Sequence, residues 1–113
     1  MWIFTLDGFF SAVQDKDDAS RIMVRSRIKE DLANILVRLE TQDTKILEWI
    51  GSDYAYRVFI PRAEWRRYLE MMSDGLDYTN FKNAAVDYQD HERSRAYYDI
   101  WRRLHDWQQT NDQ

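Results

Sequence analysis

The residue types most able to do chemistry fall in a short run at positions 53–57, which reads Asp-Tyr-Ala-Tyr-Arg. The run offers one carboxylate, two phenols and one guanidinium, from Asp53, Tyr54, Tyr56 and Arg57. A carboxylate base beside a guanidinium clamp could act on an anionic substrate. The plainer interpretation is an acidic turn residue followed by an amphipathic strand, and the sequence leaves both open.

A second polar run lies at positions 77–82 and reads Asp-Tyr-Thr-Asn-Phe-Lys. Asp77 is expected to cap the short helix that follows, since Asp is a favoured N-cap residue. Tyr78 and Lys82 are four residues apart and would then share one side of that helix. A composite polar site forms if the chain brings this side beside Asp53.

Two arginines, Arg25 and Arg27, stand on a predicted strand whose other face carries Ile22 and Val24. Such alternation is typical of a half-buried strand with one apolar and one basic face. The basic face could stack bases or receive phosphates, or it could pair with the carboxylates of a protein partner. The net charge of −4 favours the protein partner, because domains that bind nucleic acid are usually basic.

Several kinds of site are excluded or left without support by composition. The chain has no Cys, which excludes disulfides, cysteine-based zinc sites and cysteine nucleophiles. Its two histidines, His91 and His105, are placed about 21 Å apart along one predicted helix, too far to share a metal ion. No phosphate-binding glycine loop and no hydrolase or metalloprotease motif is present in the sequence. We therefore expect no catalytic residue, no metal and no cofactor.

The sequence also gives an expectation for the compartment. No run of about 18 apolar residues is present, so no segment is expected to span a membrane. The opening residues lack the basic segment and the cleavage site of a signal peptide. The expected location is the cytoplasm, without membrane contact.

The elements that must position these residues begin with β-prone runs. Runs at 2–5 and 9–13 flank Leu6, Asp7 and Gly8, and Asp-Gly is typical of a type I′ hairpin turn. Residues 15–20 are expected to form a polar loop before a third strand at 21–27. Further strands are expected at 45–50 and 54–60, which gives an antiparallel sheet of four to five strands.

Helical periodicity supplies the second layer. Four leucine and isoleucine residues share a stripe on a first helix, at Leu32, Ile35, Leu36 and Leu39, for which Ser26 is the expected N-cap. A second helix at about 62–73 carries Trp65, Leu69 and Met72, and a final helix at about 90–108 carries an aromatic stripe. We predict an α+β fold with helices on one face of the sheet, a two-layer sandwich. The expected organisation is one domain over residues 1–109 with a frayed tail at 110–113.

The opening of the chain and its two polar runs resemble a family of short bacterial proteins with no assigned function. The resemblance rests on Met-Trp-Ile-Phe-Thr, on Gly-Phe-Phe-Ser at 8–11, and on the runs at 53–57 and 77–82. Where many members read Val-Val-Gln, this chain has Ala12, Val13 and Gln14. The resemblance implies a stand-alone bacterial cytosolic protein, and it adds no substrate, cofactor or catalytic residue.

Three functions follow from these patterns. The leading hypothesis is a non-enzymatic binding or regulatory module that acts through protein contacts, with a homodimer expected, because arginine and tyrosine are enriched at interface hot spots. The alternative is a nucleic-acid or nucleotide binder that uses the basic strand face. The second alternative is a small enzyme with a carboxylate, tyrosine and arginine site.

Overall fold

The computed structural model describes residues 1–88 and 91–111, with the backbone alone for 86–88. The chain divides into two compact units, Met1–Leu76 and Asp77–Gln113. The first unit holds the whole sheet and two helices, and the second unit holds the remaining two helices. Six of the nine predicted binding residues thus belong to the first unit, and three belong to the second.

The first unit contains a five-stranded sheet in which all neighbouring strands are antiparallel. Its strands are β1 (Trp2–Thr5), β2 (Gly8–Asp15), β3 (Asp18–Ser26), β4 (Leu47–Glu48) and β5 (Tyr56–Pro61). They lie in the order β1-β2-β3-β5-β4. The predicted α+β class and antiparallel sheet are confirmed.

The first hairpin forms as expected, but its turn is different. Gly8 pairs with Thr5 as the first residue of β2, so the two turn residues are Leu6 and Asp7. Neither turn residue has a positive φ, whereas Gly8 has φ 151°. The predicted type I′ turn on Asp7 and Gly8 is therefore wrong, because the glycine conformation is used at the start of the strand.

The second hairpin replaces the expected polar loop. Strands β2 and β3 run up to a tight turn at Lys16 and Asp17. The Asp15 carboxylate accepts hydrogen bonds from the Asp17 N–H at 3.0 Å and from Arg21 Nη2 at 2.6 Å. These hydrogen bonds hold the pKa of Asp15 below its usual value. Residues 16–20 are exposed at this end of the hairpin, so the sequence has no apolar alternation there and predicts a loop instead of strands.

Two helices cover one face of this sheet: α1 (Lys29–Arg38) and α2 (Arg62–Asp74). The N-cap of α1 is Ile28, without a side-chain cap. Ser26 is instead the last residue of β3, and its hydroxyl donates to the Ile28 carbonyl at 2.6 Å. The expected Ser26 cap is wrong, because the strand extends to the residue that the sequence pattern assigned to the helix.

The hydrophobic core lies between these helices and the sheet. Both predicted helical stripes pack against the strand face that carries Ile22 and Val24, which confirms that helices cover one face of the sheet. The core residues contributed by the two helices are Leu32, Ile35, Leu36, Leu39, Trp65 and Tyr68, with Leu69 and Met72 at its margin.

A buried polar network joins the first hairpin to both helices. Tyr68 Oη donates to Asp7 Oδ2 at 2.8 Å and lies 2.8 Å from Thr5 Oγ1. Arg38 Nε donates to the same Asp7 oxygen at 2.5 Å. All of Thr5, Asp7 and Tyr68 are buried, and burial raises the pKa of the Tyr68 phenol. The network fixes the hairpin turn against α1 and α2.

The second unit consists of α3 (Phe81–Tyr88) and α4 (His91–Asn111). Asn80 caps α3, since its Oδ1 accepts from the Asn83 N–H at 3.0 Å. The expected Asp77 cap is wrong, because α3 begins at Phe81, too far along the chain for Asp77 to reach its first turn. Tyr78 precedes the helix as well, so it does not share a helix side with Lys82 as expected.

The aromatic stripe of α4 is mostly exposed. Tyr97 is buried and stacks on Phe81 at 5.9 Å between ring centres. The other stripe residues, Ile100, Trp101, Leu104 and Trp107, are 40–59% exposed. The helix includes Thr110 and Asn111, where a frayed tail was expected, and positions 112 and 113 lie outside the described residues.

Within residues 1–88 and 91–111, no helix has both the length and the apolar character that crossing a bilayer requires.

Candidate anion-binding site

The sheet face opposite α1 and α2, here called the second face, positions two predicted arginines side by side. Arg25 of β3 lies directly across from Arg57 of β5 and from Ser11 of β2. The adjacent row, with Val24 and Val58, is in the core. Because side chains alternate along a strand, the Arg25 row must point to the second face. The predicted orientation of Arg25 away from the core is confirmed.

Tyr54 brings Arg25 and Arg27 together. The Arg25 guanidinium lies 4.9 Å from the centre of the Tyr54 ring, and the Arg27 guanidinium lies 4.5 Å from it. Tyr54 as a whole is only 4% exposed, so its ring is covered by neighbouring residues. Cations over an aromatic face are attracted to its negative potential, and burial strengthens that attraction. Arg25 is also held by its Nη2, which donates to Ser11 Oγ at 2.8 Å.

Arg57 holds the segment that carries Tyr54 onto the sheet. Its Nη2 donates to the Tyr54 carbonyl at 2.7 Å and to Ser52 Oγ at 2.9 Å. Its guanidinium lies 3.7 Å from the centre of the Trp49 ring. Arg57 is buried by these contacts and acts mainly to fix the loop between β4 and β5.

The charge of this arginine pair is not neutralised by a carboxylate. Arg25 and Arg57 form no salt bridge with any described residue, and the Nε of each is buried without a hydrogen-bond partner. Burial, and then the charge of Arg25, lower the pKa of Arg57. Arg21 on the same strand, by contrast, is paired with Asp15. The second face therefore has excess positive charge at Arg25 and Arg57.

Asp53 does not remove this excess. Its Oδ1 lies 3.4 Å from Arg27 Nη1, and the two side chains are 79% and 53% exposed. The shorter contact of Arg27, at 2.8 Å, goes to the Asp53 carbonyl. An exposed ion pair at this distance stabilises little. The arrangement can bind an anion beside an aromatic ring, and the Asp53 carboxylate is mostly exposed to solvent.

Five of the nine predicted site residues meet on the second face. The five are Arg25, Arg27, Asp53, Tyr54 and Arg57. The strand expected at 54–60 would place Tyr54 and Tyr56 on one face, which is wrong, because Tyr56 pairs with Ser26 and packs against the core. Tyr54 precedes β5, where the alternation of the strand has not begun. The other three belong to the second unit: Asp77, Tyr78 and Lys82.

Lys82 has aromatic partners within its own unit. Its Nζ lies 4.1 Å from the centre of the Trp101 ring and 5.8 Å from that of Tyr98. These contacts join α3 to α4 and give the lysine a structural role. Tyr78 also takes part in the packing of the second unit, since its ring centre lies 5.9 Å from that of Phe81.

Trp49 and Ser52, which contact Arg57, were not among the residues predicted for the site. The sequence predicts that Trp49 lies on a strand at 45–50, but the strand covers only Leu47 and Glu48. Trp49 lies instead in the loop after the strand, where its ring packs on Arg57. Ser52 of the same loop accepts a hydrogen bond from Arg57. No local pattern marks a loop residue that packs on a distant strand. The described residues also include no group of three or more His, Asp or Glu side chains placed to hold a metal ion.

Comparison of the chain with protein-family models, with curated proteins and with solved structures found no match. The family resemblance inferred from the opening residues and the polar runs stays a prediction.

Proposed function

We propose that the protein is a non-enzymatic binding or regulatory module that acts through protein contacts, and that a partner with surface carboxylates covers its second face. One observation carries the proposal: Arg25 and Arg57 are adjacent, half-buried and buried respectively, and neither has a carboxylate partner among the described residues. An unpaired charge at low solvent exposure is costly. A carboxylate from a partner would lower that cost where the two proteins meet.

The neighbouring row of side chains favours a protein over a bare anion. Val13, Met23 and Phe59 lie across from one another on the second face, and all three are half-buried. An apolar row beside a charged row is the composition of many protein interfaces, in which arginine and aromatic residues contribute most of the binding energy. The partner is expected to present acidic and apolar side chains together.

The test uses a fluorescein-labelled peptide rich in Glu and Leu, with a second peptide in which Gln replaces every Glu. Fluorescence anisotropy is expected to show binding of the acidic peptide alone. Arg25→Gln should weaken that binding about tenfold or more, because it removes the accessible member of the unpaired charges. Arg67→Gln is the matched control and should leave the affinity unchanged, because Arg67 is exposed on α2 and donates to Glu64 and the Leu39 carbonyl. The proposal is contradicted if the two peptides bind with equal affinity, or if Arg25→Gln binds the acidic peptide as tightly as the wild type does.

The nucleic-acid alternative is tested in the same assay with single- and double-stranded oligonucleotides. We expect weak binding, because the chain carries a net charge of −4. Sub-micromolar binding that falls steeply with salt and is lost in Arg25→Glu would establish this alternative instead. The enzymatic alternative has less support, since Tyr56 is directed to the core and away from Asp53 and Arg57.

The proposal extends to the partner and the compartment. A second copy of this acidic chain is one partner that can supply carboxylates, and sedimentation velocity of the wild type and Arg25→Gln tests the expected homodimer.

The proposed compartment is the cytoplasm, which suits a chain without cysteine. Fractionation of cells that express the tagged chain tests this location.

A further inference from the structure

A cavity of about 320 Å³ lies in the first unit, between the sheet and α2 and on the opposite side of the sheet from the second face. Its volume falls in the range of about 300–1,000 Å³ that is usual for small-molecule sites. The apolar part of its wall comes from Ala12 and Ile22 on the sheet and from Trp65 and Leu69 on α2. These side chains offer an apolar lining without a charged group among them.

Two arginines add positive charge to the same cavity. Arg62 and Arg66 both line it and are one helical turn apart on α2. Arg62 Nε and Nη2 donate to the Ala19 carbonyl at 3.1 and 2.9 Å, and Nη2 also donates to Gln14 Oε1 at 2.7 Å. These acceptors are neutral, so they fix the guanidinium in place without cancelling its charge.

Neither guanidinium of the cavity has a carboxylate partner in the described part of the chain. The next arginine along the helix provides a contrast. Arg67 points elsewhere, where its Nη1 donates to Glu64 Oε2 and to the Leu39 carbonyl, both at 3.2 Å. The cavity thus combines an apolar wall with two cations that are available to an anion.

We propose that this cavity binds a small amphipathic carboxylate, a medium-chain alkyl acid. The alkyl chain lies against Trp65 and Leu69, where it removes apolar surface from water. The carboxylate accepts hydrogen bonds from Arg62 and Arg66, a geometry that guanidinium groups favour. This inference goes beyond the proposed protein contacts, because it concerns different residues and a different class of ligand.

The experiment measures binding of hexanoate and octanoate to the full chain by two-dimensional ¹H–¹⁵N NMR. Saturable shifts of the Trp65 indole N–H are expected, and each added methylene should tighten binding about fourfold until the cavity is filled. The double variant Arg62→Gln/Arg66→Gln should weaken octanoate binding tenfold or more, whereas Arg67→Gln should leave it unchanged. Leu69→Trp, at a half-buried position, should block the cavity and abolish binding while the spectrum stays that of a folded protein.

Three results would overturn the inference. Octanol or octylamine binding as tightly as octanoate would show that the arginines do not select a carboxylate. Undiminished octanoate binding by Leu69→Trp would place the alkyl chain elsewhere, and the absence of saturable shifts would remove the site. Arg25→Gln should bind octanoate normally, so failure here is distinguishable from failure of the proposed protein contacts.

Discussion

The carboxylate of Asp31 fills the space in which a Cβ atom at position 8 would lie. Gly8 opens β2 with φ +151°, and Asp31 Oδ2 accepts a hydrogen bond from the next N–H, that of Phe9, at 3.3 Å. The absence of a side chain at Gly8 thus allows α1 to approach the first hairpin. Glycine is required here both by backbone conformation and by space.

Gly8→Ala should lower the free energy of unfolding by about 1–3 kcal/mol, because it adds a steric overlap to an unfavourable φ. Urea denaturation monitored by circular dichroism measures the loss. Gly51→Ala is the matched control, since Gly51 also has a positive φ, +86°, but has open space where the Cβ would lie. Equal losses in the two variants would show that the contact with Asp31 is not restrictive.

Leu36→Ala should lower the free energy of unfolding by about 2–5 kcal/mol. Leu36 is 2% exposed at the centre of the core, so the substitution loses apolar burial and leaves a cavity. Val37→Ala on the same helix is the control, because Val37 is 57% exposed and should change stability little. A denaturation midpoint that is the same for Leu36→Ala and the wild type would mean that α1 does not pack as described.

The Tyr68 phenol should make the protein less stable in alkali. Its pKa is raised above the ordinary value of 10.0, first by burial, so above pH 10 the unfolded chain loses this proton while the folded protein keeps it. The unfolded state is then favoured as pH rises, by about 1.4 kcal/mol per pH unit from this group. Urea denaturation between pH 8 and 11 should show a steeper decline for the wild type than for Tyr68→Phe. Parallel declines would contradict burial of the phenol.

Asn80→Ala should loosen the start of α3. The cap is worth about 1 kcal/mol, so hydrogen exchange at the Asn83 amide should become about fivefold faster. Asp77→Ala is the natural control, because Asp77 was the cap expected from the sequence and the structure places Asn80 in that role. Faster exchange in Asp77→Ala alone would restore the original expectation.

The helices of the first unit could be predicted because their periodicity records burial directly. Leu32 and Leu36 are buried at the spacing that one helix face requires. Trp65 and Leu69 on α2 have the same spacing and both pack in or against the core. The β2–β3 hairpin could be predicted only in its inner half. Near Asp15 and Asp18 the strands extend past the core, so burial no longer imposes an alternation that the sequence could reveal.

The candidate site could be predicted in its residue types and only partly in its geometry. Arg25 followed from alternation along β3, because one face of that strand is apolar. Tyr54 and Tyr56 were separated by the onset of β5, which begins at Tyr56 and leaves Tyr54 in the preceding loop. Trp49 was assigned to a strand because its neighbours favour one, whereas its contact with Arg57 depends on the path of a loop. Such long-range contacts leave no periodic signal.

The hydrogen bond between Tyr68 and Asp7 joins residues 61 positions apart. During synthesis at about 5–20 residues per second, the first hairpin therefore waits about 3–12 s before its partner on α2 is made. Until then the buried oxygen atoms of Thr5 and Asp7 lack the phenol that satisfies them. The strands of this hairpin thus reach their final environment only after α2 has been made, several seconds after their own synthesis.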